Sequence, residues 1–407
     1  MIELRRKIEA EIAECGPIPF SRYMEICLYD AELGYYSRNA AQFGKAGDFY
    51  TSSDVHAVFG RLLARQFEEM WRVLGSPERI TLLELGPGRG LFARDVLDWS
   101  DKKFPEFFRA LRYELAEQSP ALRARLEETL KKHLESGKAA MGTSAAKAHS
   151  SRELFGATEV TPFHGNPTQD NPIQGNATQR NRTQSEPTIV FANEFFDAMP
   201  VEIVSSAGSL RIDARDGHFV EMWVPSSAEE LEFLDRYSIH PEAGERVEVA
   251  LASMKQMSTA ARIECGFVVV IDYGYAREEQ LAGRHRGTLK AIRQHSVSAN
   301  PYEAPGEQDI TADVNFTALA AVAEKRGFAV QKLITQSQFL MGIGEGNQFA
   351  DAFEDCRLPQ ERAKVALQLK HLVTPAGMGE SFHVLVASKG VEVARVSGLA
   401  GLSFGRR

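Results

Sequence analysis

LLELGPGRG, residues 82–90, sets an apolar run and the acid Glu84 directly before Gly86, Pro87, Gly88, Arg89 and Gly90. A buried strand that breaks into a glycine-rich turn and then a helix is the opening unit of a doubly wound α/β sheet. The glycines permit a tight turn and the close approach of a ligand. The neighbouring residues narrow down which ligand. A phosphate-cradling loop places Lys and Ser or Thr after its last glycine, whereas Leu91 and Phe92 stand here. A dinucleotide fingerprint is spaced GxGxxG, and this one is GxGxG.

Outward from this turn, strands and helices alternate. RITLLEL (79–85), LRYELAE (111–117), TIVFAN (188–193) and GFVVVIDYG (266–274) read as buried strands, with FAVQKLI (328–334) and FHVLVASKG (382–390) completing the set. Continuous apolar runs suit parallel strands covered on both faces. FARDVLDWS (92–100) and PALRARLEETLKKHL (120–134) read as helices, the second opened by Pro120, and Asn315 caps a third over 316–327. Before the first strand, Val58, Phe59, Leu62, Leu63, Phe67, Met70, Trp71 and Leu74 recur at helical spacing behind an Asp54 or Ser53 cap. The aromatic residues Tyr29, Tyr35, Tyr36, Phe49 and Tyr50 pack a loop onto the core or face a ligand.

The chain therefore divides into an N-terminal helical extension, 1–78, that completes a pocket, and an α/β core, 79–407. The core carries a lid of strands and helix within 205–260 and a helical insertion over 336–380. Residues 165–186 break the pattern. Four near-copies of a five-residue unit place Asn166, Asn171, Asn176 and Asn181 in register with almost no apolar side chain, which reads as an expanded surface loop.

Composition removes several function classes. A net charge of −8 argues against a nucleic-acid binder that works through bulk charge. Cys15, Cys27, Cys265 and Cys356 are far apart, so neither a zinc site nor a disulfide framework is expected. The opening MIELRRKIEAEIAE alternates acids and bases, unlike a signal or transit peptide, and no apolar run approaches the ~18 residues of a membrane span. A cytoplasmic location follows as an expectation. A homodimer through the Trp71 helix or the 336–380 insertion is a further one.

Two acids sharpen the glycine turn. Glu84 ends the first strand, where a carboxylate repels a pyrophosphate but accepts a hydrogen bond from an ammonium group. Glu117 ends the second, where an acid takes the ribose hydroxyls of a nucleoside. A pocket that wants a nucleoside and a cation but no phosphate matches S-adenosylmethionine; a tight turn with two solvated glutamates is the bland reading. In NEFFDAMP (193–200), after the fourth strand, Glu194 and Asp197 share a face if a helix begins there, with Asn193 beside acceptor or cofactor. Their bland reading is helix capping. Asp272 and Tyr273 end the fifth strand beside the same pocket and are expected to touch substrate, whereas Arg293 and His295 read as a solvated pair.

Several motifs in one order make the chain recognisable: GPIPFSRYMEICLYDAELGYYS (16–37), GDFYTSSDV (47–55), FGRLLARQ (59–66), LLELGPGRG, ELAEQSPALRARL (114–126), ANEFFDAMPVE (192–202), VVIDYGY (269–275), GEQDITADVNFTALA (306–320) and TQSQFLMGIG (335–344). The sequence resembles the MidA-like family of S-adenosylmethionine-dependent methyltransferases. The resemblance implies a class I, Rossmann-like methyltransferase core with a seven-stranded sheet and methyl transfer to a protein partner. For mitochondrial members the implied target is an arginine on a respiratory-complex subunit. It implies cofactor contacts from Glu84, Gly86, Pro87, Gly88, Gly90 and Glu117, and from Tyr50, Thr51 and Ser52 at the amino-acid end. Glu194, Asp197 and Asn193 become the candidate catalytic residues, because carboxylates that grip a guanidinium direct its nitrogen. One departure stands out: the family tends towards His and Asp where this chain has Asp313 and Asn315, so no role passes to that His. Two rivals remain, a cofactor-binding assembly factor without turnover and a nicotinamide-dependent oxidoreductase. The second lacks a recognisable hydride-transfer signature.

Overall fold

The computed structural model describes residues 2–38, 57–142, 186–293, 296–298 and 300–405. Its main sheet is built from β1 (Ile80–Leu85), β2 (Leu111–Ala116), β3 (Ala139–Met141), β4 (Thr188–Asn193), β5 (Gly266–Tyr275), β6 (Ala329–Val330) and β7 (Phe382–Lys389). In space they run β6-β7-β5-β4-β1-β2-β3. Strands β1 to β5 are mutually parallel. Strand β7 is reversed, antiparallel to both β5 and β6. Its apolar run is buried much like those of the parallel strands, so composition does not encode its direction. The order reverses between β1 and β4, and in open α/β sheets ligands bind at that switch, outside the carboxyl ends of the strands.

The sheet is covered on both sides, as its continuous apolar strands require. Along β5, Phe267, Val269 and Ile271 join the core formed with the helices Val58–Val73 and Leu91–Lys103. The alternate residues Val268 and Val270 pack with the helices Leu251–Ala260 and Phe316–Lys325 on the other face. In the first core, Phe191 of β4 stacks on Phe92 with ring centroids 4.6 Å apart and meets Phe67 edge-on at 5.4 Å.

Local signals are mostly realised. Ser119 Oγ accepts from the Leu122 N–H and starts the helix Pro120–Thr129. Asn315 Oδ1 accepts from the Ala318 N–H and caps Phe316–Lys325. The single helix expected over 120–134 divides at Leu130, with a second piece at Lys131–Glu135. The strand expected over 328–334 shrinks to Ala329–Val330, with a separate short pair Ile334–Thr335 on β7, because both pieces lie half-buried at the sheet edge. Ser53 and Asp54 lie outside the described residues, as does the pentapeptide repeat.

The segment 205–260 forms strands and two helices, Ala228–Tyr237 and Leu251–Ala260. Its strands Gly208–Arg215, His218–Val224 and Arg246–Val249 make an antiparallel sheet with Glu202–Ser205 and the N-terminal Ile18–Pro19. Leu210 and Ile212 of that sheet bury against Leu4, Ile8, Phe20 and Met24, so the insertion is clamped to the N-terminal helices. Residues 336–380 hold the helices Gln336–Glu345, Ala350–Phe353 and Pro359–Val373, and Phe339, Leu340 and Leu372 bury in the main core. Trp71 is buried too, its ring N–H donating to the Pro77 carbonyl at 2.9 Å, so that side chain offers no docking surface. Among the described residues, no helix is long and apolar enough to cross a membrane, and no cluster of metal ligands occurs.

The aromatic stack at Phe191 should carry much of the stability of the central strands. Phe191→Ala is expected to destabilise the protein by about 3–5 kcal/mol, as for other fully buried aromatics. Chemical denaturation would measure this, and a loss under about 1 kcal/mol would show that the stack contributes little.

Candidate functional site

The turn after β1 is left-handed at each glycine, with φ of 63° at Gly86, 53° at Gly88 and 75° at Gly90. At Gly86 a β-carbon would sit 2.7 Å from the Phe195 ring, so a side chain would displace the segment after β4. At Gly88 a β-carbon would meet nothing within 4 Å, because this residue lines open space.

That space is a cavity of about 370 Å³ at the carboxyl ends of β1, β2 and β4. Of the expected site residues, Gly86, Gly88, Glu117, Glu194 and Asp197 converge on it. Glu117 follows β2; its Oε1 accepts the Ser119 N–H at 2.9 Å, and the Gly88 N–H also donates to this carboxylate. Burial pushes the Glu117 carboxyl up to about 7 against the pull of those donors.

Other expected residues stand behind the wall rather than in it. Glu84 is buried beneath the turn, its Oε2 accepting from the Tyr113 hydroxyl at 2.7 Å, and burial pushes it up to about 8. Pro87 and Gly90 shape the turn without lining the cavity; Gly90 ends it where the helix Leu91–Lys103 begins. Asn193, at the end of β4, donates from Nδ2 to Glu194 Oε1 at 3.1 Å. No helix starts in NEFFDAMP: the segment is an irregular turn, and Glu194 has φ 48°, which costs a residue with a side chain about 1 kcal/mol or more. The shared helical face expected of Glu194 and Asp197 is therefore replaced by a folded turn that brings both to the cavity.

Asp272 and Tyr273 require correction as substrate contacts. Asp272 is fully buried, its carboxylate taken up by backbone N–H groups, because β5 carries it beneath the NEFFDAMP turn rather than to the cavity. Tyr273 points its hydroxyl at Asp197 Oδ2, 2.5 Å away. Burial raises the Asp197 carboxyl above its ordinary range, and the Tyr273 hydroxyl opposes that shift. Arg293 pairs with Glu307 at 2.7 Å, while His295, Tyr50, Thr51 and Ser52 lie outside the described residues.

The rest of the wall includes two of the aromatic residues left open by the sequence and one acid that sequence reading missed. Tyr29 and Tyr36, from the N-terminal extension, line the cavity with rings 5.5 Å apart. The Tyr36 hydroxyl donates to Asp309 Oδ1 at 2.9 Å, and its carbonyl accepts from Ser119 Oγ at 2.7 Å. Asp309 itself lines the cavity. It lies in GEQDITADVNF, where its acid was the available signal, but nothing local says which way it points.

The wall thus holds four acids, Glu117, Glu194, Asp197 and Asp309, and among the described residues that line it there is neither Lys nor Arg. A phosphate-bearing cofactor would find no Lys or Arg among the described lining residues. A nucleoside carrying a sulfonium and an ammonium group fits: Gly88 leaves room for it, Glu117 offers oxygens to ribose hydroxyls, and the remaining acids face positive charge.

Fold and site together define a class I S-adenosylmethionine-dependent methyltransferase. The model of the family described as "Putative S-adenosyl-L-methionine-dependent methyltransferase" matches residues 62–334, and the chain belongs to that family. A solved Burkholderia thailandensis protein bound to S-adenosyl-homocysteine superposes with TM-score 0.76 at 27% identity, over 98% of this chain and 94% of that one. The mitochondrial protein arginine methyltransferase NDUFAF7 homolog of Drosophila melanogaster is 29% identical, covering 97% of this chain and 86% of its own. Human mitochondrial NDUFAF7, also a protein arginine methyltransferase, is 25% identical over 93% of this chain and 81% of its own length.

Two outcomes test the cavity. Gly88→Val should abolish S-adenosyl-homocysteine binding in calorimetry, since its side chain would enter the cofactor space, and should also lower the unfolding temperature, because a β-branched residue is strained at φ 53°; retained binding by the folded variant would move the site elsewhere. Ribose hydroxyls bind the ionised form of Glu117 best, so affinity should rise from pH 5.5 to 8 with a midpoint near the carboxyl's value of about 7. The sign follows because below that value the carboxyl carries a proton that binding must expel. In Glu117→Gln this rise should vanish; its survival there would assign it to another group, Glu84 first.

Proposed function

We propose that this methyltransferase modifies a protein side chain, arginine before others. The observation that carries the reading is the acid-lined cavity, with no Lys or Arg among the described residues that line it, in which Glu194 and Asp197 stand on a turn beside the cofactor space. Arginine stays protonated, so a methylating site must hold a cation and orient one nitrogen. Carboxylates do both by accepting its N–H groups. S-adenosylmethionine, when bound, supplies the electrophilic methyl group. Glu194 presents its carboxylate to the acceptor, Asp197 adds negative charge behind it, and Tyr29 with Tyr36 closes an aromatic side against water. The names of the relatives from Drosophila and human favour the same acceptor. A cytoplasmic location and a respiratory-complex subunit as target belong to this proposal.

Incubation with labelled S-adenosylmethionine and arginine-containing peptides, followed by mass spectrometry, tests it. Methylated arginine is the expected product. Glu194→Gln should lower kcat about 10- to 100-fold, the worth of one hydrogen bond to a charged group, with cofactor affinity nearly unchanged. Cofactor binding without methylation of any protein or peptide would favour the assembly-factor reading instead.

A further inference from the structure

The turn after β4 holds Glu194 at φ 48°, a conformation that its β-carbon disfavours. Something must outweigh that preference. The next three backbone N–H groups, of Phe195, Phe196 and Asp197, all donate to one oxygen, Asp272 Oδ2, at 3.1, 3.0 and 3.3 Å. Asp272 Oδ1 accepts the Tyr273 N–H at 2.9 Å. The Glu194 N–H donates to the Ile271 carbonyl at 3.0 Å. Consecutive N–H groups curling around an anion form a nest, a device that usually captures a ligand. Here the captured group is the chain's own carboxyl, at 0% exposure; burial and the neighbouring Asp197 and Glu194 push it well above the ordinary range, and the N–H groups oppose that shift.

We propose that Asp272 is a positioning residue: by gathering the N–H groups of residues 195–197 it locks Glu194 in its left-handed conformation and fixes the Glu194 carboxylate at the cavity wall. Tyr273, the next residue of β5, does the same for Asp197 through its hydroxyl. Adjacent residues of one strand thereby set the backbone of the turn and one of its side chains. Neither touches the cavity. The use of Glu194 towards an acceptor rests on the function proposed above; the lock itself does not.

A stability cycle of Glu194→Gly, Asp272→Asn and the double variant tests the lock without any cofactor or acceptor. Glycine tolerates left-handed backbone, so Glu194→Gly should raise the Tm of the otherwise native protein by about 1 °C, the relieved strain exceeding the entropy glycine adds to the unfolded chain. Asparagine offers one acceptor oxygen where the carboxylate offers two, so Asp272→Asn should let the turn relax, and Glu194→Gly should then gain nothing. Equal gains in both backgrounds would overturn the proposal, and so would a gain that Glu194→Gln reproduces by removing only the charge that faces Asp272. If Asp272→Asn does not fold, hydrogen exchange of the unsubstituted protein decides: the amides of residues 195–197 should be protected, and fast exchange there would sink the idea. In the functional arm, with an arginine-containing peptide as probe, Asp272→Asn should lower kcat at least 10-fold while the KM for S-adenosylmethionine holds, and should add nothing to Glu194→Gln. A general loss of packing would instead shift both constants and add to Glu194→Gln. Coupling in the stability cycle without methylation by the native protein would remove the proposed acceptor and leave the lock in place.

Discussion

Strand β5 lies between a parallel neighbour and an antiparallel one, and much else in the molecule hangs on it. It pairs with β4 from Gly266 to Ile271 and with β7 from Gly266 to Tyr273. Burial on both faces leaves its backbone no choice but full ladder pairing, since an unpaired buried N–H or carbonyl group is costly. A strand fixed along its whole length also fixes what stands at its end. Asp272 and Tyr273 remain paired with β7 but run past β4, which stops at Asn193, so the turn between Glu194 and Asp197 folds over them. The precision of the candidate site is thus inherited from hydrogen bonds in the core rather than from the turn's own sequence.

The acids around that turn share one electrostatic problem. Glu84, Glu117 and Asp197 are all pushed upward by burial, to about 8 and about 7 for the first two. Each carboxylate also raises the cost of its neighbours, about 4 kcal/mol for unit charges 4 Å apart at an effective dielectric of 20. Local donors relieve this in part: Tyr113 for Glu84, the Gly88 and Ser119 N–H groups for Glu117, Tyr273 for Asp197. None of those donors carries a positive charge. What would relieve the remainder is a cation in the cavity, which is why its acidity speaks about the ligand as much as about the fold.

Much of the scaffold was legible because its signals are short-range. ITLLEL, TIVFAN and GFVVVIDYG are apolar at successive positions, which only a strand covered on both faces explains well, and Ser119 and Asn315 cap the helices that follow them. The glycine spacing with Glu84 and Glu117 likewise pointed to the cofactor from residues close in sequence. The remainder depended on partners far along the chain. Ile18 and Pro19 form only two residues of strand, and nothing local directs them to Ile212 and Arg211. Asp309 reads as one acid among many until Tyr36, 273 residues earlier, donates to it. Towards the end of β5, period-two alternation says that Asp272 and Tyr273 face opposite ways, yet not which faces the cavity; neither lines it.

The same acidity bears on turnover. Methyl transfer removes the sulfonium charge, so the cofactor product is neutral at the centre where its precursor was cationic. A wall of carboxylates therefore interacts more strongly with the reactive form than with the spent one, and the difference is larger in a site shielded from water. The aromatic side made by Tyr29 and Tyr36 supplies such shielding, and Ser119 ties it to the cofactor half through the Tyr36 carbonyl. Discrimination of this kind needs no moving part. It requires only that the carboxylates stay where they are as the charge disappears, which is what the bonds from β5 to the NEFFDAMP turn provide.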